Sequence, residues 1–420
     1  MNEKKIFVFA GWFAEPKLIG TVFEQNNGRG KAVISFEYDL GWLTNNPEFM
    51  PDPDILPFPG RQYLPLRKSN FGFLSDASPD RWGRDLIRRR RQMQEKENAV
   101  GNDRKSGSEF LTETDFLLGV HDAGRVGGLR FKTDMDGGFV SSDESVAVPP
   151  WVTLRKLQNA AWEYEKKQNP ALYIWLKQIF APGSSLGGAR PKATVQDEMG
   201  NLWIAKFPSR KDEYNVGAWE KVVQDLAGEC GLHVPESRLE NFTESGYSTF
   251  LVKRFDRRDG GRKRVHFASA MTMLGKTDGD NDSSYLDILK VIRTNGSKPE
   301  KDIKELWTRI AFSVLISNTD DHLRNHGFLL EKNGWRLSPL YDINPNPFGT
   351  NLSLNITEDD NSKDMNLVLQ TAPYYGLTDA EAKEIVDRLQ TVVHNRWRSI
   401  AEKYKISRAE QEEMQGAFKC

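Results

Sequence analysis

The stretch of sequence that decides the fold covers residues 317–327 and reads SNTDDHLRNHG, and LYDINP follows it at residues 340–345. It places Asp320 five residues before Asn325 and a second acid, Asp342, beyond a predicted hairpin. One carboxylate can act as a general base, while an amide oxygen and another carboxylate are ligands that Mg²⁺ accepts. The spacing alone also fits a loop held by Asx turns and helix caps, so the case depends on the segments around it.

The segment between the two halves predicts a β-hairpin. Residues 326–330 and 335–340 read as its strands, and the Asn-Gly pair at 333–334 is a preferred type I′ turn. In that register Asn325 lies opposite Asp342, with Cβ atoms about 4.5–5.5 Å apart, close enough to share one Mg²⁺. An Asp, an Asn at this spacing and a metal-binding Asp form the set that protein-kinase-like phosphoryl transfer requires.

Composition describes a globular chain. Its 420 residues are 38% hydrophobic and 28% charged, which predicts two or three domains with a sizeable core. No apolar run approaches the roughly 20 residues of a membrane span, and the N-terminus reads as a strand rather than a signal peptide. Cys230 and Cys420 are the only cysteines, which excludes a disulfide framework and a Cys-rich zinc site. The histidines form no HExxH motif, and His322 and His326 are expected to brace the loop around Asp320. We expect a cytoplasmic protein that binds no membrane.

The net charge of -1 predicts no global attraction to nucleic acid. One local exception is the run of four arginines at 88–91, which Asp85, Glu95 and Glu97 flank. These acids dilute the positive charge, so a solvated helix end is favoured over a phosphate-binding patch.

Sequence patterns also divide the chain into segments. Residues 1–132 begin with three short strand patterns of an antiparallel sheet and continue with helices. Residues 133–150 are rich in Gly, Ser, Asp and Pro and read as a linker. Helix, glycine loop, hairpin and helix follow over residues 151–256, and residues 257–420 are mainly helical. The predicted fold class is therefore α+β.

A glycine-rich loop, GSSLGGARPK at residues 183–192, precedes a predicted hairpin. Its small residues would let backbone N–H groups approach phosphate oxygens, although an ordinary turn has the same composition. Lys206, on the second hairpin strand, shares a face with Leu202 and Ile204. It is either an edge lysine with an apolar stem or a lysine over the phosphates of a nucleotide. Glu220, beside the apolar stripe of the next helix, could pair with Lys206 or stay solvated.

Five segments together resemble the HipA-type serine/threonine kinases, which are toxins of bacterial type II toxin–antitoxin modules. They are SSLGGARPKA, WIAKFP, FLVKRFDR, ISNTDDHLRNHGFLL and LSPLYDINP. Two N-terminal segments, FGFLSDASPDRWGRDLI and GRVGGLRF, are similar to the same family. The resemblance implies a bilobal protein-kinase-like fold. It would have an N-terminal α+β domain over residues 1–132, a mixed N-lobe over 151–256 and a mainly helical C-lobe over 257–420.

Matched by position, the resemblance also implies roles for the site residues. Asp320 would be the catalytic base, and Asn325 and Asp342 would bind Mg²⁺. Lys206 would contact the ATP phosphates with Glu220 as its partner, and Gly187 and Gly188 would line the nucleotide loop. Phe255 would be the hinge residue whose backbone meets adenine, and Ser185 would be an autophosphorylated loop serine. One departure is Lys253, where family members often carry Glu, so the contacts at the hinge stay open.

The implied cofactors are ATP and Mg²⁺. The implied partners are a protein substrate, such as a translation component, and a helix-turn-helix antitoxin through which any DNA would be reached. Two other functions stay open: an ATP-binding, weakly active module that acts through a DNA-binding partner, and a kinase of small molecules. ATP turnover separates the protein kinase from the first alternative, and phosphoprotein products separate it from the second.

Overall fold

The structure is a computed structural model, and it describes residues 3–26, 32–46, 48–99, 110–142, 148–165, 190–242, 246–280 and 282–419. The chain forms two compact units. Unit 1 contains Met1–Ile204 and Asp256–Ala268, and unit 2 contains Ala205–Phe255 and Ser269–Cys420. The predicted domain boundaries divide the chain differently, and they stay a prediction.

The secondary structure mixes strands and helices along the chain. The strands of the described residues are Glu3–Ala10 (β1), Lys17–Asn26 (β2), Ala32–Tyr38 (β3), Gln62–Tyr63 (β4), Leu129–Lys132 (β5), Lys192–Gln196 (β6), Leu202–Lys206 (β7), Ser237–Glu240 (β8), Thr249–Lys253 (β9), Arg257–Arg258 (β10), Lys263–Arg264 (β11), Phe267–Ser269 (β12), Gly327–Glu331 (β13) and Gly334–Leu337 (β14). The helices are Leu40–Asn45 (α1), Gly72–Asp76 (α2), Arg81–Ala99 (α3), Glu113–Leu118 (α4), Leu154–Glu165 (α5), Val216–Glu229 (α6), Ala270–Met273 (α7), Tyr285–Asn295 (α8), Pro299–Leu315 (α9), Met365–Thr371 (α10), Asp379–Lys403 (α11) and Arg408–Met414 (α12). Within the described ranges, no helix has the length and apolarity needed to cross a membrane.

Unit 1 is built on a five-stranded antiparallel sheet in the order β4-β3-β2-β1-β5. Ile6, Val8 and Ala10 of β1 are buried at alternate positions, as the two-residue period of a strand requires. Phe36 and Phe131 from other strands join them in the same core. The antiparallel sheet predicted for the first three strands is confirmed.

Local signals set the helix ends in unit 1. The hydroxyl of Thr112 accepts a hydrogen bond from the N–H of Asp115, and the Asp115 carboxylate accepts one from the N–H of Thr112. This reciprocal capping box begins α4, and Gly119 is the C-terminal cap of the helix. Before α3, the side chain of Asp80 accepts a hydrogen bond from the N–H of Gly83 (2.8 Å). Helix α3 therefore begins directly after the residue that caps it.

Helix α6 of unit 2 presents Glu220 next to a buried stripe. The side chain of Asn215 caps the helix by accepting a hydrogen bond from the N–H of Ala218 (3.2 Å). At the other end Gly231 has a φ of 81°, the left-handed conformation that commonly ends helices. The helix that was predicted to carry Glu220 beside an apolar stripe is confirmed.

Helix α9 is the scaffold that leads to the candidate site. It packs against α8 and α11, and both Trp307 and Phe312 are fully buried within this helical core. After α9 ends at Leu315, Ser317 adopts a φ of 53°. This left-handed residue turns the chain sharply into the segment that carries Asp320.

The hairpin of β13 and β14 exists, but its predicted register is wrong. Glu331 pairs with Gly334, so the two-residue loop consists of residues 332–333 instead of 333–334. Neither of these loop residues has a positive φ, so the predicted type I′ turn is also wrong. Continued outward, the observed pairing would set Asn325 opposite Leu340 and not opposite Asp342.

A tertiary contact accounts for the shifted register. Gly334 has a φ of 126°, and a Cβ at this position would lie 2.6 Å from the backbone oxygen of Asn295. The N–H of Ser297 donates a hydrogen bond to the carbonyl of Trp335 (2.8 Å). Gly334 is therefore required for close approach to the end of α8, and the turn forms one residue earlier.

Candidate active site

Asp320 lies on a loop that the end of α9 holds in place. The N–H of Asn318 donates to the carbonyl of Ser313 (2.8 Å), and the N–H of Asn346 donates to the carbonyl of Ser317 (3.1 Å). Asp320 itself is exposed. An exposed carboxylate on a fixed loop can meet the hydroxyl group of an incoming molecule, as a general base must.

Asp321, the next residue, is buried and braces this loop from the inside. Its carboxylate accepts a hydrogen bond from the Tyr285 hydroxyl (2.7 Å), and one of its oxygens lies 3.0 Å from Nε2 of His326. Burial raises the pKa of Asp321, but His326 and Tyr285 outweigh that effect and hold the pKa below its ordinary range. The predicted bracing role of His326 is confirmed. The bracing roles of Asp321 and Tyr285 were not predicted, because no local pattern in the sequence shows which of two adjacent aspartates faces the core.

Asn325 is tied to the same loop. Its side-chain Nδ2 donates a hydrogen bond to the backbone carbonyl of Asp320 (3.0 Å). Its Oδ1 is buried and accepts no hydrogen bond from the residues that the structure describes. A buried acceptor without a partner costs about 1–3 kcal/mol, a cost that coordination of a cation would remove.

Lys206 joins two acids that are far apart in sequence. Its Nζ lies 2.5 Å from Oε1 of Glu220 and 2.5 Å from Oδ1 of Asp342, which is 136 residues away. Burial lowers the pKa of Lys206, but the charges of Asp342 and Glu220 outweigh it, so the pKa is raised and the ammonium group stays charged. The predicted pairing of Glu220 with Lys206 is present in the structure, while Asp342 as a second partner was not predicted.

The electrostatics connect Asp320 with Asp342. Although Asp320 reaches solvent, partial desolvation raises its pKa. The charge of His322 acts in the opposite direction, and the carboxylates of Asp342 and Asp321 raise the pKa further. Asp342 has a φ of 56°, a conformation that Asp tolerates better than most residues. The charge of Asp342 therefore raises the pKa of Asp320, even though the hairpin register does not place Asn325 opposite Asp342.

An aromatic contact links the predicted hinge residue to this segment. The rings of Phe255 and Tyr341 lie 5.5 Å apart between centroids, and the Tyr341 hydroxyl donates to the carbonyl of Arg324 (2.6 Å). Tyr341 directly precedes Asp342, so one side chain contacts both Phe255 and the loop that holds Asn325. Nζ of Lys253 lies 3.4 Å from a carboxylate oxygen of Glu236.

Residues 183–189 of the predicted glycine loop lie outside the described residues. This applies to Ser185, Gly187 and Gly188, whose predicted roles therefore stay predictions. At the end of that loop, Nζ of Lys192 lies 2.9 Å from the carboxylate of Asp80, and both side chains are buried.

The residues present fit a metal that is shared with a phosphorylated ligand. Among the described residues, no group of three or more His, Cys, Asp or Glu side chains could hold a metal ion. Asn325 offers an orphaned buried oxygen and Asp342 a half-buried carboxylate. Mg²⁺ commonly takes one or two protein ligands and completes its shell with phosphate oxygens and water, so this donor set suits it.

The fold and this group of side chains define a protein of the HipA class. The family model described as the HipA-like C-terminal domain matches residues 184–397, slightly more than half of the chain. The chain therefore belongs to the HipA-like family, and the predicted resemblance is confirmed.

The relatives that match are named as kinases. A protein of Haemophilus influenzae named "Putative kinase" is 31% identical over 192 residues, which are 41% of this chain and 55% of that protein. A second "Putative kinase", from Sinorhizobium fredii, is 27% identical over 148 residues, which are 33% of each chain. The chain thus matches about half of the first relative's length and a third of the second's.

A solved structure shares the fold. A chain in the Shewanella oneidensis complex of HipA, HipB and operator DNA matches with a TM-score of 0.64 at 16% identity. The match covers 98% of this chain and 94% of that chain. It confirms the predicted fold class, an α+β fold of the HipA type.

Proposed function

We propose that this chain is a Mg²⁺/ATP-dependent serine/threonine protein kinase. One observation carries the proposal: Lys206 contacts both Glu220 and Asp342, and Asp342 raises the pKa of Asp320 on the loop that also holds Asn325. These five side chains have the types and the order that phosphoryl transfer requires. The kinase names of the relatives support the same class.

Each side chain has a separate task in the proposed reaction. Asp320 orients the acceptor hydroxyl and takes its proton, and its exposure allows a protein acceptor to reach it. Lys206 offers its charge to the phosphates, and Glu220, which is 3% exposed, holds the ammonium group in position. Asn325 and Asp342 would hold Mg²⁺, which neutralises the charge of the transferred phosphoryl group.

The proposal includes regulation by autophosphorylation of Ser185. A phosphate adds about -1.5 to -2 charges and three acceptor oxygens next to Gly187 and Gly188, so it would repel the incoming triphosphate. Arg190 and Lys192 lie close enough in sequence to Ser185 to hold the phosphorylated loop as charge-assisted partners. Nζ of Lys192 also lies 2.9 Å from the carboxylate of Asp80, so a phosphate on the loop would compete with Asp80 for this lysine.

A helix-turn-helix antitoxin is the proposed partner, with DNA contacted through it. The matched fold belongs to a complex that contains HipA, HipB and operator DNA, and the match covers nearly all of this chain. This supports a partnered protein, while the set of five polar side chains argues against a purely regulatory module.

The decisive experiment compares wild type with Asp320→Ala. A positioned general base contributes about 10²–10⁴ in rate, so phosphoryl transfer should fall by that factor while ATP affinity changes only a few-fold. Transfer from labelled ATP to protein acceptors measures the first quantity, and titration with a fluorescent ATP analogue measures the second. Asp359→Ala is the control, because the only hydrogen bond that this exposed carboxylate accepts from the described residues is a long one of 3.5 Å from the Thr357 hydroxyl.

The same samples test self-modification. After incubation with Mg²⁺-ATP, mass spectrometry should locate phosphate on Ser185 in wild type and not in Asp320→Ala. The purified phosphoprotein should bind ATP more weakly than the unmodified chain. Equal transfer by wild type and Asp320→Ala would refute the kinase proposal, and unchanged ATP affinity of the phosphoprotein would refute self-inactivation alone.

A further inference from the structure

Phe348 is an exposed aromatic residue next to the segment that carries Asp320. Its residue surface is 85% exposed, the largest exposure of any large apolar residue in the described part of unit 2. It lies in the loop that follows Asp342, between Asn346 and Gly349. A single exposed aromatic residue is ordinary on a protein surface, so its meaning depends on how the chain holds it.

Hydrogen bonds fix the backbone before Phe348 to the Asp320 segment. The N–H of Asn346 donates to the carbonyl of Ser317 (3.1 Å), and its Nδ2 donates to the hydroxyl of Thr319 (2.8 Å). The N–H of Phe348 in turn donates to Oδ1 of Asn346 (3.0 Å). Asn346 therefore holds this loop against Ser317 and Thr319, which precede Asp320 in the chain.

The backbone after Phe348 is fixed to the same place. A Cβ on Gly349 would lie 2.4 Å from the side chain of Thr319, so only glycine allows this close approach. Nζ of Lys363 donates both to the carbonyl of Gly349 (3.1 Å) and to the hydroxyl of Ser317 (2.9 Å). Phe348 thus stands exposed on a loop whose two sides are anchored to Ser317 and Thr319.

We propose that Phe348 is a specificity-determining residue that binds an apolar side chain of the protein acceptor, close in sequence to the phosphorylated Ser or Thr. The inference rests on the proposed kinase function. An acceptor must bring its hydroxyl to Asp320, so its flanking residues pass the loop anchored on Thr319, the neighbour of Asp320. A rigid aromatic ring gains contact area there at low cost in conformational entropy, as aromatic anchors of interfaces do.

The test uses a positional-scanning library of synthetic peptides with a central Ser or Thr and labelled ATP. Wild type should select Leu, Ile, Met or Phe at one position near the acceptor residue. In Phe348→Ala that selection should fall about tenfold, with KM for the selected peptide rising about tenfold and kcat changing much less. Phe348→Leu should retain most of the selection, because it keeps an apolar side chain. Tyr374→Ala is the control, since Tyr374 is also an exposed aromatic of unit 2 but its backbone contacts Arg293.

The outcomes separate this inference from the function on which it rests. Apolar selection that survives in Phe348→Ala, or its absence in wild type, would overturn the role of Phe348 and leave the kinase proposal intact. An equal loss in Tyr374→Ala would show a general effect of surface apolarity and would also overturn it. If wild type transfers no more phosphate than Asp320→Ala to any peptide or protein, the kinase proposal itself fails, and this inference fails with it.

Discussion

At the scale of single residues, the ion pair between Lys206 and Asp342 competes with the proposed binding of a metal ion by Asp342. Asp342 is a metal ligand in the proposed function, yet in the structure one of its oxygens lies 2.5 Å from the Lys206 ammonium. A carboxylate has two oxygens and can serve two cations, so the ion pair and a Mg²⁺ ion can share Asp342. Glu220, with a 4% exposed side chain, keeps Lys206 in place when the charge at Asp342 is partly neutralised.

This arrangement predicts the effect of Asp342→Asn. Asparagine keeps the shape of the side chain and tolerates the φ of 56°, so the fold should be preserved while one negative charge is lost. Replacing even the outer partners of a metal site costs about 10–100-fold in metal affinity, so the tightening of ATP binding by Mg²⁺ should fall at least tenfold. ATP titrations with and without Mg²⁺ measure it. An unchanged Mg²⁺ effect, with Asp359→Ala as reference, would remove Asp342 from the metal site.

At the scale of elements, the β13–β14 hairpin shows how a neighbour selects a register. An Asn-Gly pair favours a type I′ turn when the hairpin is considered alone. Here the glycine serves a different contact, because Gly334 approaches Asn295 and the Trp335 carbonyl accepts from Ser297. The tight packing of β14 against the end of α8 therefore outweighs the local preference for the turn.

Gly334→Ala should accordingly destabilise unit 2. The added methyl would lie 2.6 Å from a backbone oxygen at a φ of 126°, so both steric overlap and backbone strain apply. Strain at such an angle costs about 1–3 kcal/mol by itself, and the overlap adds to it. Urea unfolding measures the change. Gly376→Ala is a matched control, because it has a φ of 73° but no atom within 4 Å of the added Cβ, and it should cost less. Equal costs for both variants would show that the Asn295 contact does not set the register.

At the scale of the whole molecule, the charge balance bears on the proposal that this chain contacts DNA only through a partner. The chain has 58 basic and 59 acidic residues, a net charge of -1. Ion pairs within the chain neutralise part of the positive charge of the arginine run at 88–91, because Arg88 pairs with Asp85 (2.9 Å) and Arg91 with Glu95 (3.3 Å). Non-specific DNA binding depends on several phosphates being neutralised together, and this surface does not supply that charge.

The chain alone should therefore bind duplex DNA no more tightly than about 10⁻⁵ M at physiological salt, within the range of non-specific contacts. Fluorescence anisotropy with a labelled duplex measures this binding. Addition of the proposed helix-turn-helix partner should produce tight binding that depends on DNA sequence. Submicromolar binding by the chain alone, lost when Arg88 and Arg90 are changed to Glu, would contradict the indirect role of DNA.

Much of the candidate site could be predicted from sequence because its signals are local. Asn215 caps the helix that carries Glu220, and Gly231 ends it, so the position of Glu220 on α6 follows from a few neighbouring residues. The spacing of Asp320 and Asn325 is likewise a property of one loop, in which the amide of Asn325 reaches the carbonyl of Asp320.

What the sequence by itself determined is the chemistry available and the ends of individual helices such as α4 and α6, since residue types, caps and periodicity act within a few residues. Only the tertiary structure decided which charges meet, such as Lys206 with Asp342 across 136 residues, and which of the adjacent Asp320 and Asp321 faces the core. It also decided that Phe348 stands exposed on a loop that Asn346 and Gly349 anchor to Thr319. The physical reason is that burial and ion pairing depend on segments brought together by packing, and no local pattern encodes the distance between them.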